Sequence, residues 1–215
     1  MSLNVNIAKT KDDSSTLYSN KYKEHYHSTH GALQESEYVF IEKGLKYFKK
    51  NKLVIFEMGF GTGLNAYLTF LRSRCLVEYD CIETEKLDFS IVEALNYPSL
   101  LEQDKTIFLS LHQAKWDKDV VVNKDFVLHK YYQDIQLFEF KKEYDLIYFD
   151  AFSPRIQPDL WSEDILLKCY NALSNQGLLV TYCSKSEVRR TLIKIGFRVE
   201  KCPGPPGKRE MLRAK

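Results

Sequence analysis

The chain has 215 residues and a formal net charge of +2, from 31 Lys and Arg against 29 Asp and Glu. This length fits one domain, and 44% hydrophobic with 28% charged residues can bury a core, which excludes a disordered chain. No apolar run approaches the roughly 20 residues that span a bilayer, and the polar N-terminus predicts no secretory signal.

The charge is unevenly distributed along the chain. Residues 185–215 carry ten Lys and Arg and three acids, a net charge of +7, so the remaining residues carry −5. A basic segment on an acidic body is a hint of a polyanionic partner. Taken alone, the charge favours a solvated basic helix and strand over such a partner.

The five cysteines, an odd number without a C-x-x-C pair, predict neither a disulfide framework nor a zinc site. We therefore expect a reducing, cytoplasmic compartment. His25, His27 and His30 lack a neighbouring Cys or acid cluster, so we expect no metal. Their stretch reads as a loop near a ligand site, with Tyr26 or His27 in its lining.

Apolar periodicity predicts alternating helices and strands after a polar segment at residues 1–24. In chain order these are a helix over 32–50, a strand over 53–60, a helix over 63–73, a strand over 77–84, mixed helix over 86–113, a hairpin over 118–132, strands over 144–151 and 178–183 around a helix over 162–173, a basic helix over 186–195, and an antiparallel pair over 197–202 and 208–214. Such alternation indicates an α/β protein with a mostly parallel sheet.

A glycine-rich segment, EMGFGTGLN, lies between the strand at 53–60 and the following helix. Its G-x-G-x-G spacing differs from the dinucleotide fingerprint G-x-G-x-x-G. Gly59 permits the turn, and Gly61 and Gly63 let the backbone approach a ligand. With Glu57 before the loop, Glu85 at the next strand end for ribose hydroxyls and Asp134 for an adenine amino group, the pattern is typical of S-adenosylmethionine methyltransferases. The alternative is a structural turn with incidental acids.

The strand at 144–151 ends in a second polar segment, with Asp150, Phe152 and Pro154 before Trp161. A carboxylate at this place suits a primary amine, because it orients the amine and accepts a proton during direct methyl transfer. Phe152, Tyr148 and Trp161 are candidates for stacking on a base. The alternatives are that Asp150 caps a loop and that Trp161 belongs to the core.

Several segments resemble the methyltransferase domain of the MnmC family, bifunctional enzymes that make 5-methylaminomethyl-2-thiouridine at the tRNA wobble position. The matching segments, in chain order, are 31–40, 60–65, 85–86, 150–161, 188–190 and 207–212. The D-x-F-x-P-x-x-x-P-D-x-W and G-K-R-E-M-L segments are more specific than the glycine loop. The resemblance implies a Rossmann-like fold with a seven-stranded, mostly parallel sheet and an antiparallel last hairpin. It also implies one domain over 1–215, in which 1–50 is an extension that covers the cofactor.

The resemblance implies that S-adenosyl-L-methionine methylates the exocyclic amine of 5-aminomethyl-(2-thio)uridine, with Asp150 facing the amine. The expected cofactor residues are Glu35, Glu57, Gly59, Phe60, Gly61, Gly63, Asn65, Glu85, Lys86 and Asp134. The expected substrate residues are Phe152, Pro154, Trp161, Arg189, Arg190, Lys208 and Arg209, with the basic side chains on the phosphates of the tRNA anticodon stem-loop.

One departure from the family separates this sequence from its bifunctional members, which continue into a flavin-dependent oxidase. The chain resembles the stand-alone members, which lack this oxidase, so we expect no flavin. We also expect no membrane contact and no obligate protein partner. Two other hypotheses stay open at this point. One is a methyltransferase acting on a small-molecule or protein amine, and the other is a non-catalytic module that binds S-adenosylmethionine or RNA.

Overall fold

A computed structural model describes residues 4–215. Its centre is an eight-stranded sheet in the order β10-β11-β9-β8-β4-β5-β7-β6. The strands of this sheet are β4 (Lys52–Met58), β5 (Leu76–Glu83), β6 (Asp119–Asn123), β7 (Phe126–Tyr132), β8 (Tyr144–Phe149), β9 (Leu173–Thr181), β10 (Val199–Pro203) and β11 (Glu210–Ala214). A separate antiparallel sheet consists of β1 (Val5–Lys9), β2 (Ser15–Ser19) and β3 (Glu24–His25).

The five central strands are parallel to one another, and each of the three edge strands pairs antiparallel with its neighbour. From β4 the chain proceeds outward through β5 and β7 on one side, and returns to β8 and β9 on the other. The strand order therefore reverses beside β4. In open α/β sheets, ligands bind at such a reversal, in the crevice beyond the carboxyl ends of the strands.

Seven α-helices in the described part of the chain, residues 4–215, connect or cover these strands. They are α1 (Ala32–Ser36), α2 (Leu64–Arg72), α3 (Phe89–Ala94), α4 (Tyr97–Leu100), α5 (Lys105–Gln113), α6 (Glu163–Ala172) and α7 (Ser186–Ile195). The two faces of the sheet bury separate apolar clusters. One cluster lies under α2, α5 and the N-terminal segment, and the other lies under α6 and α7.

The α/β class, the parallel centre and the antiparallel last hairpin are confirmed. The expected number of seven strands is wrong, because β6 adds an eighth at the edge. Its pairing is antiparallel to β7 and its register shifts between Val121 and Asn123. The turn signals around 123–125 predict this hairpin, and the structure places both of its strands in the central sheet.

The N-terminal region differs most from the expectation. Within the polar segment 1–24, residues 5–24 contribute most of a sheet. Residues 32–50 contain α1, a π-helix (Glu37–Glu42) and a 3₁₀ turn (Leu45–Tyr47) instead of one helix. Strand β2 is buried although it is rich in Ser and Thr. The side chain of Ser15 bonds to Asn96 and that of Thr16 to His27, so partners elsewhere in the chain satisfy these buried polar groups. The polar composition of β2 is the reason that the sequence did not predict a buried strand here.

Among residues 4–215, none of the helices has the length and apolar composition needed to cross a membrane.

Candidate active site

A pocket of about 330 Å³ lies at the carboxyl ends of β4, β5 and β8, where the strand order reverses. The pocket is lined by residues 58–62, 64–65, 82–85 and 133–136, by several residues from 150–160 and by an aromatic group from 22–27. Gly63, expected at the cofactor, is not part of this lining. The volume is within the range of small-molecule sites.

The glycine loop, residues 59–63, forms one wall of the pocket through left-handed backbone. Gly59, Gly61 and Gly63 have φ values of +89°, +49° and +70°. A Cβ on Gly63 would lie 2.7 Å from Nε2 of His112, so here glycine makes room for a protein side chain, not for a ligand. His112 in turn bonds to the carbonyl of Thr62 at 3.0 Å and supports the loop from behind.

His112 and Lys130 are supporting residues that sequence reasoning missed. The buried Lys130 ammonium donates to the carbonyls of Leu111 and His112, at 2.9 and 2.7 Å. Burial lowers the pKa of Lys130 to about 8 and that of His112 to about 3. No local pattern identifies either residue, because the strand carrying Lys130 and the helix carrying His112 meet only in the fold.

Two acids at the end of β5, Glu83 and Glu85, line the pocket, whereas the sequence singled out Glu85 alone for contact with the ribose. Glu83 accepts backbone hydrogen bonds from Gly61, Thr84 and Glu85 at 3.1, 2.8 and 3.1 Å. Burial raises the pKa of Glu83, and these bonds oppose the shift. Glu83 therefore fixes the loop, while Glu85 lies in the pocket lining with Oε1 paired to Lys21.

Asp150 lines the pocket one residue beyond β8. Asn65, at the start of α2, donates from Nδ2 to Oδ2 of Asp150 at 2.8 Å. Burial raises the pKa of Asp150 to about 8, and Glu35 acts in the same direction. The Asn65 bond and the charge of Lys208 oppose the shift. A carboxyl group with a pKa near neutrality is suited to accept a proton.

Glu57, expected at the cofactor, is not in the pocket lining. Side chains alternate along a strand, so Glu57 projects to the α2 face of the sheet, as Ile55 does. It is 1% exposed, and burial followed by the charge of Asp150 raises its pKa well above the usual value. Glu57 therefore lies outside the pocket lining, and a direct contact with the cofactor stays a prediction.

Glu35 and Lys208, which were expected at the cofactor and at a tRNA phosphate, form an ion pair with each other. Neither lines the pocket. The Lys208 ammonium lies 3.8 Å from the Tyr182 ring centroid, and the Tyr182 hydroxyl donates to the carbonyl of Ala151 at 2.8 Å. This pair therefore joins α1 to the last hairpin close to Asp150.

Lys86 also lies outside the pocket lining, and its ammonium sits over the rings of Trp116 and Tyr132. Trp161 is 6% exposed and packs against Phe149. Its indole Nε1 donates to the carbonyl of Phe152 at 2.7 Å. The structure thus favours the core alternative for Trp161, which supports the segment that carries Phe152.

Phe152 lines the pocket as expected, whereas Pro154 does not. The rings of Tyr22 and Tyr26 flank Phe152, each with a centroid separation of 5.0 Å. Sequence reasoning placed Tyr26 or His27 here and missed Tyr22. Both Tyr26 and His27 line the pocket, and burial lowers the pKa of His27 to about 4.

The remaining cofactor candidates, Gly59, Phe60, Gly61, Asn65 and Asp134, all line the pocket.

Half of the cations in the basic tail form ion pairs. These pairs are Lys185–Glu187, Lys194–Glu163, Lys201–Glu210, Lys208–Glu35 and Arg213–Glu200. Within residues 4–215, Arg190 and Arg209 are exposed and form no salt bridge, and Arg189 is half-buried.

Across the described part of the chain, no cluster of three His, Cys, Asp or Glu residues could ligate a metal ion. The pocket has the features that suit an adenosyl cofactor. They are a left-handed glycine loop after β4, the acid Glu85 just beyond the end of β5, and Asp134 just beyond the end of β7. This fold and site define the class of S-adenosylmethionine methyltransferases.

Comparison with known proteins supports this class. A family of S-adenosyl-L-methionine-dependent methyltransferases matches residues 102–215, and the chain belongs to that family. The Azoarcus sp. tRNA 5-methylaminomethyl-2-thiouridine biosynthesis bifunctional protein MnmC is 31% identical over 226 residues, covering 93% of this chain and 34% of its own. The Campylobacter hominis protein of the same name is 29% identical over 209 residues, covering 92% and 31%.

Two solved structures have the same fold. MNMC2 from Aquifex aeolicus aligns with a TM-score of 0.79 and 27% identity, over 99% of this chain and 70% of that one. Spermidine synthase from Thermotoga maritima, at 16% identity and a TM-score of 0.59 over 98% and 67%, shows the fold alone. The chain spans about a third of the length of the MnmC relatives that it matches.

Proposed function

We propose that this methyltransferase transfers a methyl group to the exocyclic amine of 5-aminomethyl-(2-thio)uridine at the tRNA wobble position. The observation that carries the proposal is the placement of Asp150 and Phe152 in the same pocket as the glycine loop. The likeness to MnmC proteins, over more than nine tenths of this chain, supports the tRNA substrate. Such a substrate would place the enzyme in the cytoplasm.

The cofactor would lie along the glycine loop. Glu85 would accept hydrogen bonds from ribose hydroxyls, and Asp134 would accept one from the adenine amino group. Glu83 would act indirectly, because its oxygens already hold three backbone amides. The cofactor supplies a methyl group on a sulfonium, so the proposed reaction requires neither a flavin nor a metal.

Asp150 would orient the amine through a hydrogen bond and accept the proton that the nitrogen releases. Its pKa of about 8 keeps a useful fraction of the carboxylate at neutral pH while retaining basicity. The amine must present a free lone pair in line with the bond that breaks, and positioning of this kind is a large part of catalysis.

The uracil ring would be recognised at the mouth of the pocket. Tyr22, Tyr26 and Phe152 form an aromatic cluster there, and an anticodon base that leaves its stack can be received by aromatic rings. Arg189, Arg190 and Arg209 remain the candidates for phosphate contacts, because Lys208 is held by Glu35. Phosphate contacts of this kind add affinity without sequence information.

The test is a methylation assay with labelled S-adenosylmethionine and tRNA that carries 5-aminomethyluridine, followed by digestion and mass spectrometry of the nucleosides. We expect 5-methylaminomethyluridine at the wobble position, and no product from tRNA that lacks the aminomethyl group. Methylation of a free small-molecule amine, with no methylated nucleoside, would contradict the proposed substrate and leave the methyltransferase class intact.

A further inference from the structure

The hydrogen bond between Asn65 and Asp150 depends on which way the Asn65 amide points. Nδ2 donates to Asp150 Oδ2, so Asn65 Oδ1 must face the opposite direction. This oxygen is buried and has no hydrogen-bond partner among residues 4–215. Because amide oxygen and nitrogen differ only in the bonds they make, the group behind Asn65 decides the orientation.

Glu57 lies behind Asn65 and outside the pocket lining. Its neighbours with titratable or polar side chains come from two strands and one helix. They are Asn65 on α2, Tyr79 and Cys81 on β5, Tyr148 on β8, and Asp150 and Glu83 just beyond or at strand ends. None of these neighbours is a cation, so nothing there compensates a negative charge on Glu57.

Two oxygens in this cluster, one from Glu57 and one from Asn65, are unsatisfied hydrogen-bond acceptors. Glu57 Oε2 and Asn65 Oδ1 are buried and have no hydrogen-bond partner within the described residues, and the Tyr79 hydroxyl beside Glu57 is a third buried group without one. Two buried acceptors next to each other are unfavourable, and each would cost about 1–3 kcal/mol if left unsatisfied. One proton on Glu57 resolves both, because it converts the carboxylate oxygen into a donor aimed at the amide oxygen.

We propose that Glu57 is a positioning residue that stays protonated, donates a hydrogen bond to Asn65 Oδ1, and thereby directs the Asn65 amino group to Asp150. In this arrangement Asn65 occupies one oxygen of Asp150, and the other is left for the substrate amine. Burial, followed by the nearby charge of Asp150, raises the pKa of Glu57, and hydrogen bonding by Tyr79 and Asn65 opposes this shift without reversing it. The part that concerns Asp150 rests on the proposed function.

The competing role for an acid before a glycine loop is an ionised side chain that binds the positively charged end of the cofactor. The two roles differ in the charge on Glu57, and Glu57→Gln separates them. Glutamine is neutral, donates to Asn65 Oδ1 from its amide nitrogen and accepts from Tyr79. A protonated positioning residue should be replaced well by glutamine, whereas an anionic ligand should not.

The first measurement is the Kd of S-adenosylmethionine by calorimetry, which needs no tRNA. We expect Glu57→Gln to bind within about threefold of the natural protein, since a protonated Glu57 carries no charge for the substitution to remove. Removal of a charge-assisted bond would weaken binding roughly tenfold or more, and that result would overturn the proposal.

The second measurement is infrared spectroscopy of the ligand-free protein with ¹³C-carboxyl glutamate. At pH 9, above the pKa of about 8 at Asp150, we expect a carboxylic-acid C=O band that is absent from Glu57→Gln. No such difference between the two proteins would show that Glu57 is ionised. Both measurements stand even if tRNA proves not to be the substrate.

The third measurement compares Glu57→Leu with Glu57→Gln in the methylation assay. Leucine removes the donor, so kcat should fall at least about tenfold and the pH profile should shift, with KM for S-adenosylmethionine little changed. Glutamine should restore both kcat and the pH profile. Failure of glutamine to restore them, in a protein that folds and binds S-adenosylmethionine, would contradict the positioning role.

Discussion

The glycine loop and the N-terminal cover, residues 5–36, face the same pocket but reach it by different routes. The loop is a continuous segment held by its own left-handed glycines and by the next strand end. The cover is a separate sheet whose strands pair with one another and not with the central sheet. Its place depends on ion pairs and aromatic contacts with distant residues, so a local motif specifies the loop and tertiary packing specifies the cover.

The largest expected effect comes from the strand end beside the loop. Asp150→Ala should lower turnover roughly 10²–10⁴-fold, because it removes the group that orients and deprotonates the amine. The Kd of S-adenosylmethionine should stay within about threefold, since the loop is intact. Assay of turnover and calorimetry on one preparation check both, and unchanged turnover would remove Asp150 from the mechanism.

A substitution in the loop should affect cofactor binding and stability together. Gly63→Ala places a Cβ near His112 and strains a left-handed residue, which we expect to cost about 1–3 kcal/mol of unfolding free energy. The Kd of S-adenosylmethionine should rise with it. Gly196→Ala is the matched control, since Gly196 also has a positive φ, of +125°, but ends α7 away from the pocket. If both variants weaken binding equally, strain at the loop is not the cause.

The attachment of the cover can be tested at the pair between Glu35 and Lys208. Lys208→Met leaves Glu35 buried and unpaired, which should cost roughly 1–3 kcal/mol of stability. Adding Glu35→Gln should recover much of that stability, because the uncompensated charge is gone. Chemical denaturation of the two single variants and the double variant gives the coupling, and simple additivity would show that the pair does not hold the cover.

The pH dependence of stability should report on the two buried histidines, one in the cover and one behind the loop. Burial lowers the pKa of His27 to about 4 and of His112 to about 3, against 6.5 in the unfolded chain. Below pH 6.5 these two histidines bind protons in the unfolded chain but stay neutral in the folded chain. The free energy of unfolding therefore falls as the pH falls towards 4. His112→Gln should flatten this decline, as denaturation between pH 7 and pH 4 would show. An identical decline in the variant would contradict the assignment.

The smallest effect is expected at the surface. Replacing Arg189 and Arg190 with Ala should lower the salt dependence of tRNA binding by about one to two units of slope, one for each phosphate that the variant no longer neutralises. Binding measured at several salt concentrations checks this, with Lys194→Ala as a control because Lys194 is paired with Glu163. An unaltered slope would return these arginines to a solvated surface role.

The parts of the site that were predictable share one property: each lies at a strand end within a short segment. The glycine loop, Asp150, Phe152 and Asp134 are of this kind, and all line the pocket. Residues whose contacts depend on another element either lie outside the pocket lining or were not identified from the sequence. The side chain of Glu57 projects to the α2 face of the sheet, outside the pocket lining, and Lys208 pairs with Glu35. Lys130, on β7, supports the loop through its bond to the carbonyl of His112.

The sequence by itself determined the α/β alternation, the parallel centre and the loop at its reversal, because hydrophobic period and glycine spacing are local properties. The basic tail was also visible as a charge pattern. Only the tertiary structure decided which of its cations are free, that β2 is buried, and which acids face the pocket. Those outcomes depend on side-chain direction and on partners far away in the chain, and a residue's own neighbours in sequence carry no record of either.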